Sequence, residues 1–176
     1  MMKISNETDR LLDLYIKKAK KERLRIRRIV HFTIIFIVVF MVFQIFGFGK
    51  INSQSMSPAL EEGQFIVYSK LSSEYKKDDL VVIEYDHQII VRRVIGVSGD
   101  TIDIDNIEGQ LYINGKKEKK DKSNLTVTDP EGIKFPLYIA DNQVFVLCDQ
   151  RNNTNDSRKI GCIHVKDIIG KVIFYS

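Results

Sequence analysis

The sequence predicts a mainly β, antiparallel domain preceded by one N-terminal transmembrane helix. Three observations carry that expectation. Arg28 and Lys50 bracket 21 residues, Ile29 to Gly49, without a charge. After Lys50 the chain turns to short runs rich in β-branched and aromatic residues. Between those runs stand turn signals, Asn114-Gly115 above all.

The uncharged run comes first. A helix rises 1.5 Å per residue, so residues 29–49 span roughly 30 Å, about one hydrocarbon core. Soluble core helices rarely run so far without a polar face. The run is longer than the apolar core of a cleaved signal peptide, begins late, and no A-x-A site follows it. It reads as an uncleaved, single-pass anchor in the cell membrane.

Charge orients this anchor. The chain has 176 residues and a net charge of +4, split unevenly. Residues 1–28 hold ten Lys/Arg against four Asp/Glu; the other 148 hold 17 against 19. The cytoplasmic side of a span carries the excess of Lys and Arg. The basic tail, residues 1–28, is therefore expected in the cytoplasm and residues 51–176 outside. Leu11, Leu12, Leu14, Tyr15 and Ile16 alternate with charge in the tail, a pattern suited to a helix near anionic membrane lipid. With a slightly acidic main domain, charge gives no support to nucleic-acid binding. Two Cys exclude a four-Cys zinc site, and no His pair has metal spacing, so neither metal nor cofactor is expected.

Strands are predicted at 64–68, 80–85, 89–95, 144–147 and 168–174. Asp86-His87 fits a tight turn between the second and third. Asn114-Gly115 sits in a hairpin over 111–116. The lysine-rich stretch 116–134 reads as a solvated, mobile excursion. Cys148 and Cys162 would close a loop of about 15 residues if oxidised, a bridge worth roughly 3 kcal/mol.

Three segments carry chemistry: Ser53-Gln54-Ser55-Met56-Ser57-Pro58, Arg92 to Asp100, and Asp149 to Gly161. Their order outside a single anchor resembles the type I signal peptidases, membrane serine proteases that remove signal peptides. The family signature S-x-S-M-x-P-T is matched by Ser53, Ser55, Met56 and Pro58, with Ala59 in place of Thr. In G-D-x-V-V, Asp79, Val81 and Val82 match and Asp78 replaces Gly. In K-R-x-I-G-x-P-G-D, Arg93, Ile95, Gly96, Gly99 and Asp100 match, while Ser98 replaces Pro and Arg92 replaces Lys. In the last signature Asp149, Arg151, Asn153, Asp156, Ser157, Arg158 and Gly161 match; Cys148, Gln150 and Thr154 depart.

The resemblance implies an antiparallel β domain of signal-peptidase type and a Ser/Lys dyad. Ser55 is then the nucleophile and Arg92 occupies the position of the general-base lysine. Ser53 matches the hydroxyl that joins the Ser55 N–H around the developing oxyanion. Asp156 and Arg158 match a site-shaping ion pair. Thr154 falls where a serine hydroxyl orients the lysine. Implied substrates are exported preproteins with small side chains at the first and third positions before the cut.

Arg92 decides between two functional readings. A buried lysine can lose its proton near neutral pH, but a guanidinium in a protein stays charged. Neutralising one at pH 7 costs roughly 8 kcal/mol. The expected outcome is a signal peptidase with impaired turnover. The alternative is a signal-peptidase-like accessory protein that binds exported pilin or other surface-fibre subunits for assembly without cutting. Arg92 is expected to bind a carboxylate, Asp149 or Asp156. His87, five residues away, would point from a regular strand to the opposite face. Self-cleaving Ser/Lys repressors are disfavoured by the anchor.

Overall fold

The computed structural model describes residues 2–118 and 125–176. It divides into two compact units, Met1–Gln44 and Ile45–Ser176.

In the first unit, helix α1 (Met2–Ile45) runs without interruption through the basic tail and the apolar run. By length and composition, Leu14–Ile45 could cross a membrane. The helix expected over 29–49 stops four residues early, because Phe46–Lys50 forms strand β1. Its uncharged helical part is thus Ile29–Ile45, 17 residues, at the short end of what spans a hydrocarbon core. The main domain correspondingly starts before residue 51.

The second unit is built from antiparallel strands. One sheet has seven: β1, β2 (Phe65–Ser69), β3 (Leu80–Tyr85), β4 (Gln88–Val97), β9 (Gln143–Leu147), β10 (Ile163–His164) and β11 (Ile168–Tyr175), in the order β1-β2-β11-β3-β4-β9-β10. The other has four: β5 (Thr101–Asp105), β6 (Gln110–Ile113), β7 (Lys116–Lys117) and β8 (Leu137–Tyr138), in the order β7-β6-β5-β8. Beyond α1, the described residues hold one further α-helix, α2 (Ser157–Ile160).

Turn chemistry fixes the hairpins. Asp86 and His87 join β3 to β4 with φ of 50° and 57°, and Asn114 and Gly115 join β6 to β7 with φ of 53° and 72°. Two successive left-handed residues match the twist of the flanking strands. Asp78, where the family signature has Gly, also sits at φ 72°, a region Asp tolerates better than most residues.

Three apolar clusters fill the unit. One gathers Ile51, Met56, Leu60, Ile66, Tyr68, Val82, Val91 and Val172, and lies behind the Ser55 turn. A second is centred on Val81, Val94 and Val146, and a third on Ile102, Phe145 and Leu147.

The excursion expected over 116–134 is exposed or half-buried at most of its described positions, but it is tied to the unit at several points. Residues 119–124 lie outside the described residues. On one side of them Lys116–Lys117 pairs with β6. On the other, Thr126 is buried, its N–H donates to the Gly109 carbonyl, and the Val127 carbonyl accepts from Arg158. Buried arginines need acceptors, and this segment supplies them.

Candidate active site

Ser55 lies in a single 3-10 turn, Gln54–Met56. Met56 and Leu60 are almost wholly buried in the cluster behind it and hold the turn by packing. Ser53 caps it: its backbone is extended, and its hydroxyl oxygen accepts the Ser55 N–H at 3.1 Å. Ser53 Oγ and the Ser55 N–H, the two proposed oxyanion groups, are thus adjacent and bonded to each other. The Ser55 carbonyl accepts the Gln150 N–H at 3.0 Å, which ties the turn to the 149–158 loop.

Arg92 comes to the same point from β4, where it pairs with Val81. Its side chain is buried, only 3% of the residue being exposed. Nη1 donates to Ser55 Oγ at 3.1 Å and to the Val91 carbonyl at 2.6 Å. Nε and Nη2 both donate to the Asn155 carbonyl, at 2.9 and 2.8 Å. Residues 37 positions apart in the sequence therefore meet.

Strand alternation sends Arg93 the other way. Its Nε and Nη2 grip Asp149 bidentately at 2.7 and 2.6 Å. The hydrogen bond to Asp149 raises the Arg93 pKa, against the opposing effect of burial. Asp156 accepts from the Arg158 backbone and guanidinium and from the Cys148 N–H, all buried. Both carboxylates expected for Arg92 are therefore held by other arginines, and the expectation is corrected: Arg92 is held by neutral oxygens. Alternation along β4 and the chain direction of the 149–158 loop assign each carboxylate elsewhere.

Thr154 is also turned away. Its hydroxyl donates to Asp129 Oδ2 at 2.9 Å. His87 occupies the β3–β4 turn, outside the residues that line the groove beside Ser55. The cysteines are both free. Burial pushes the Cys148 thiol up to about 12, against the lowering effect of nearby Arg92, and the Cys162 thiol up to about 11.

Four partners were not readable from the sequence. Asn155 acts through its carbonyl, which no side chain advertises. Asp129 and Glu118 stand in a charge-rich stretch that reads as solvated. Glu118 binds fully buried Arg151 at 2.9 and 3.1 Å. Gln150 acts through its backbone.

Ser55 and Arg92 open onto a groove of about 600 Å³. It is lined on one side by β1 (Phe48, Gly49, Lys50) and on the other by the first half of β4, Gln88 to Arg92. Among the described residues β1 pairs only with β2, and β4 pairs with β9 only from Arg93 onward. Two unpaired strand edges thus border Ser55. Ser55 Oγ, bonded to a cation and set beside a backbone N–H, thus faces a groove that can receive extended backbone.

The sequence model described as signal peptidase, peptidase S26, matches residues 25–176. The chain belongs to this signal peptidase family of serine endopeptidases. It is 33% identical over 141 residues to signal peptidase I of Bacillus amyloliquefaciens, covering 71% of this chain and 74% of that one. It is 34% identical over 148 residues to signal peptidase I S of Bacillus subtilis, covering 74% and 78%. A solved signal peptidase I from Enterococcus faecalis is similar over 57% of this chain and 97% of that one, with 24% identity and a TM-score of 0.45.

Proposed function

We propose that the chain is a membrane-anchored signal peptidase of the S26 type that acts on exported preproteins, with Ser55 as nucleophile and turnover held low by Arg92. In this reading α1 spans the cell membrane, its basic N-terminal half on the cytoplasmic side and the β unit outside. The substrate adds as an extended strand between the edges of β1 and β4. Its scissile carbonyl meets Ser55 Oγ, and the oxyanion displaces the Ser53–Ser55 bond to accept from both donors.

The single observation that carries the reading is Arg92 Nη1 donating to Ser55 Oγ at 3.1 Å. The partner of the nucleophile stands where a base should stand, yet it can only donate. It can hold the hydroxyl and favour negative charge on oxygen; it cannot take the proton. A general base contributes about 10²- to 10⁴-fold to such a step.

That same contact favours a second reading, in which the groove binds an exported segment and does not cut it. The cargo would then be an exported protein such as a pilin or another surface-fibre subunit.

The test uses the full chain in detergent and a preprotein with Ala at the first and third positions before the cut. Arg92→Lys is expected to raise Ser55-dependent cleavage by about 10²-fold or more. Ser55→Ala should abolish whatever cleavage either form shows. Wild-type cleavage as fast as that of Arg92→Lys would refute the base argument. No cleavage by Arg92→Lys, with its fold intact, would leave the binding reading in its place.

A further inference from the structure

Buried arginines in the β unit are ion-paired in all cases but one. Arg158 is paired with Asp156, Arg151 with Glu118, and half-buried Arg93 with Asp149. Arg92 bonds only to the Asn155 and Val91 carbonyls and the Ser55 hydroxyl. Among the described residues no carboxylate lies within ion-pair distance of it. Those bonds use four of its five N–H groups; the fifth, on Nη2, makes no hydrogen bond among the described residues. A charge taken out of water without a counter-charge is held at a cost that carbonyl dipoles offset only in part.

We propose that Arg92 and Ser55 form a binding site for the terminal carboxylate of an extended peptide, held in the groove between the edges of β1 and β4. The inference deepens the reading of that groove as a peptide site and depends on it. Three features point to a carboxylate of this kind. A guanidinium binds carboxylate more strongly than it binds a neutral carbonyl, and can do so through two N–H groups. The Ser55 N–H, now capped by Ser53, and the Ser55 hydroxyl lie beside the guanidinium and can donate to the same anion. The strand edges run alongside this point, so a peptide laid between them can end its backbone at Ser55.

Carboxylate, rather than phosphate or sulfate, follows from the surroundings. Arg92 is one cation in a groove bordered by backbone edges, which read peptide backbone. Lys50 also lines the groove, but its amine sits 5.9 Å from the centroid of the Phe65 ring, as a cation–π pair. The ligand class is thus a peptide with a free C-terminal carboxylate. Endoproteolysis is the class of reaction that supplies such an end. An uncut chain crossing the same point presents only a neutral amide. The site then favours a cut peptide over an uncut one, the reverse of what rapid release of product requires.

The test compares two fluorescently labelled peptides of one sequence ending in Ala-Leu-Ala. One carries a free carboxylate and the other a carboxamide; each is titrated with the full chain in detergent. The acid is expected to bind about tenfold tighter or more. Arg92→Gln should lose that preference, acid and amide then binding alike, and Arg92→Lys should retain part of it. Equal affinities for acid and amide overturn the proposal and leave the peptide groove standing. An acid preference that survives in Arg92→Gln also overturns it, since the carboxylate is then read elsewhere. If neither peptide binds, the proposal and the groove reading fail together.

Discussion

Arg158 and Arg92 are both buried guanidiniums bonded to the 149–158 loop, and they are held in opposite ways. Arg158 is gripped by Asp156 through Nε and Nη2, and donates to the Arg151, Val127 and Asn153 carbonyls besides. The anion that compensates it comes from two residues away on the same loop. Arg92 comes from β4, uses the Asn155 carbonyl as its main anchor, and points one N–H at Ser55 Oγ. The contrast separates two uses of a buried cation. Paired with a carboxylate it organises the loop. Left to neutral oxygens, it keeps its field for whatever enters the groove.

Removing the compensating charge should give the largest effect. Asp156→Asn leaves Arg158 fully buried without its anion and removes one of the two acceptor oxygens that serve Arg158 and the Cys148 N–H. Breaking one partner of a buried pair costs about 3–5 kcal/mol. Arg92→Gln removes a cation that has no such partner and should cost less than about 1 kcal/mol. Denaturant unfolding of the full chain in detergent, followed by tyrosine fluorescence, measures both. Equal losses in the two variants would erase the distinction between the two arginines.

Arg151 sharpens the same comparison. It is fully buried, but the Glu118 side chain that pairs with it is 17% exposed and lies beyond β7. Water reaches part of this pair, so Glu118→Gln should cost about 1–3 kcal/mol, less than Asp156→Asn. The same unfolding curves give the value. A loss as large as that of Asp156→Asn would mean that exposure does not grade these pairs.

What the sequence made legible follows a physical pattern. β3 and β4 were readable because β-branched runs flank a two-residue spacer, and Asp86 and His87 do take left-handed backbone. β1 was not, because Phe46-Gly47-Phe48-Gly49 is as uncharged as the helix before it, and hydropathy does not tell the two apart. Gly47 carries the missing signal: a Cβ there would run into the Tyr68 ring, so the close approach of β1 to β2 favours Gly at that position. β5 alternates Thr, Ile, Asp, Ile, Asp and was open to the same reading as its neighbours. At the candidate site, the resemblance to the signal-peptidase signatures implies that Ser55 and Arg92 belong together. It did not reveal which carboxylate serves which arginine, since that depends on strand alternation and loop direction. Nor did it reveal Asn155, whose contribution is a backbone carbonyl.

The smallest expected effect tests how far the field of Arg92 reaches. A neighbouring cation normally lowers a thiol pKa by favouring the thiolate. Arg92 acts on Cys148 in that sense, but burial and Asp156 act against it, and the thiol stands at about 12. The folded state thus holds the Cys148 proton more tightly than the unfolded chain, whose thiol titrates near 8.5. Stability from this group is whole below that unfolded value and falls as pH rises above it. By pH 9 the loss is about 1 kcal/mol. Cys148→Ala should remove this part of the pH dependence, read as the difference between the two proteins' unfolding free energies at pH 7 and pH 9. The reading requires a free thiol in place of a bridge to Cys162, so unreduced, unfolded protein should titrate two thiols. Should the pH dependence survive the substitution unchanged, the Cys148 thiolate is not excluded by burial, and the cation beside it governs more of the loop than its hydrogen bonds reach.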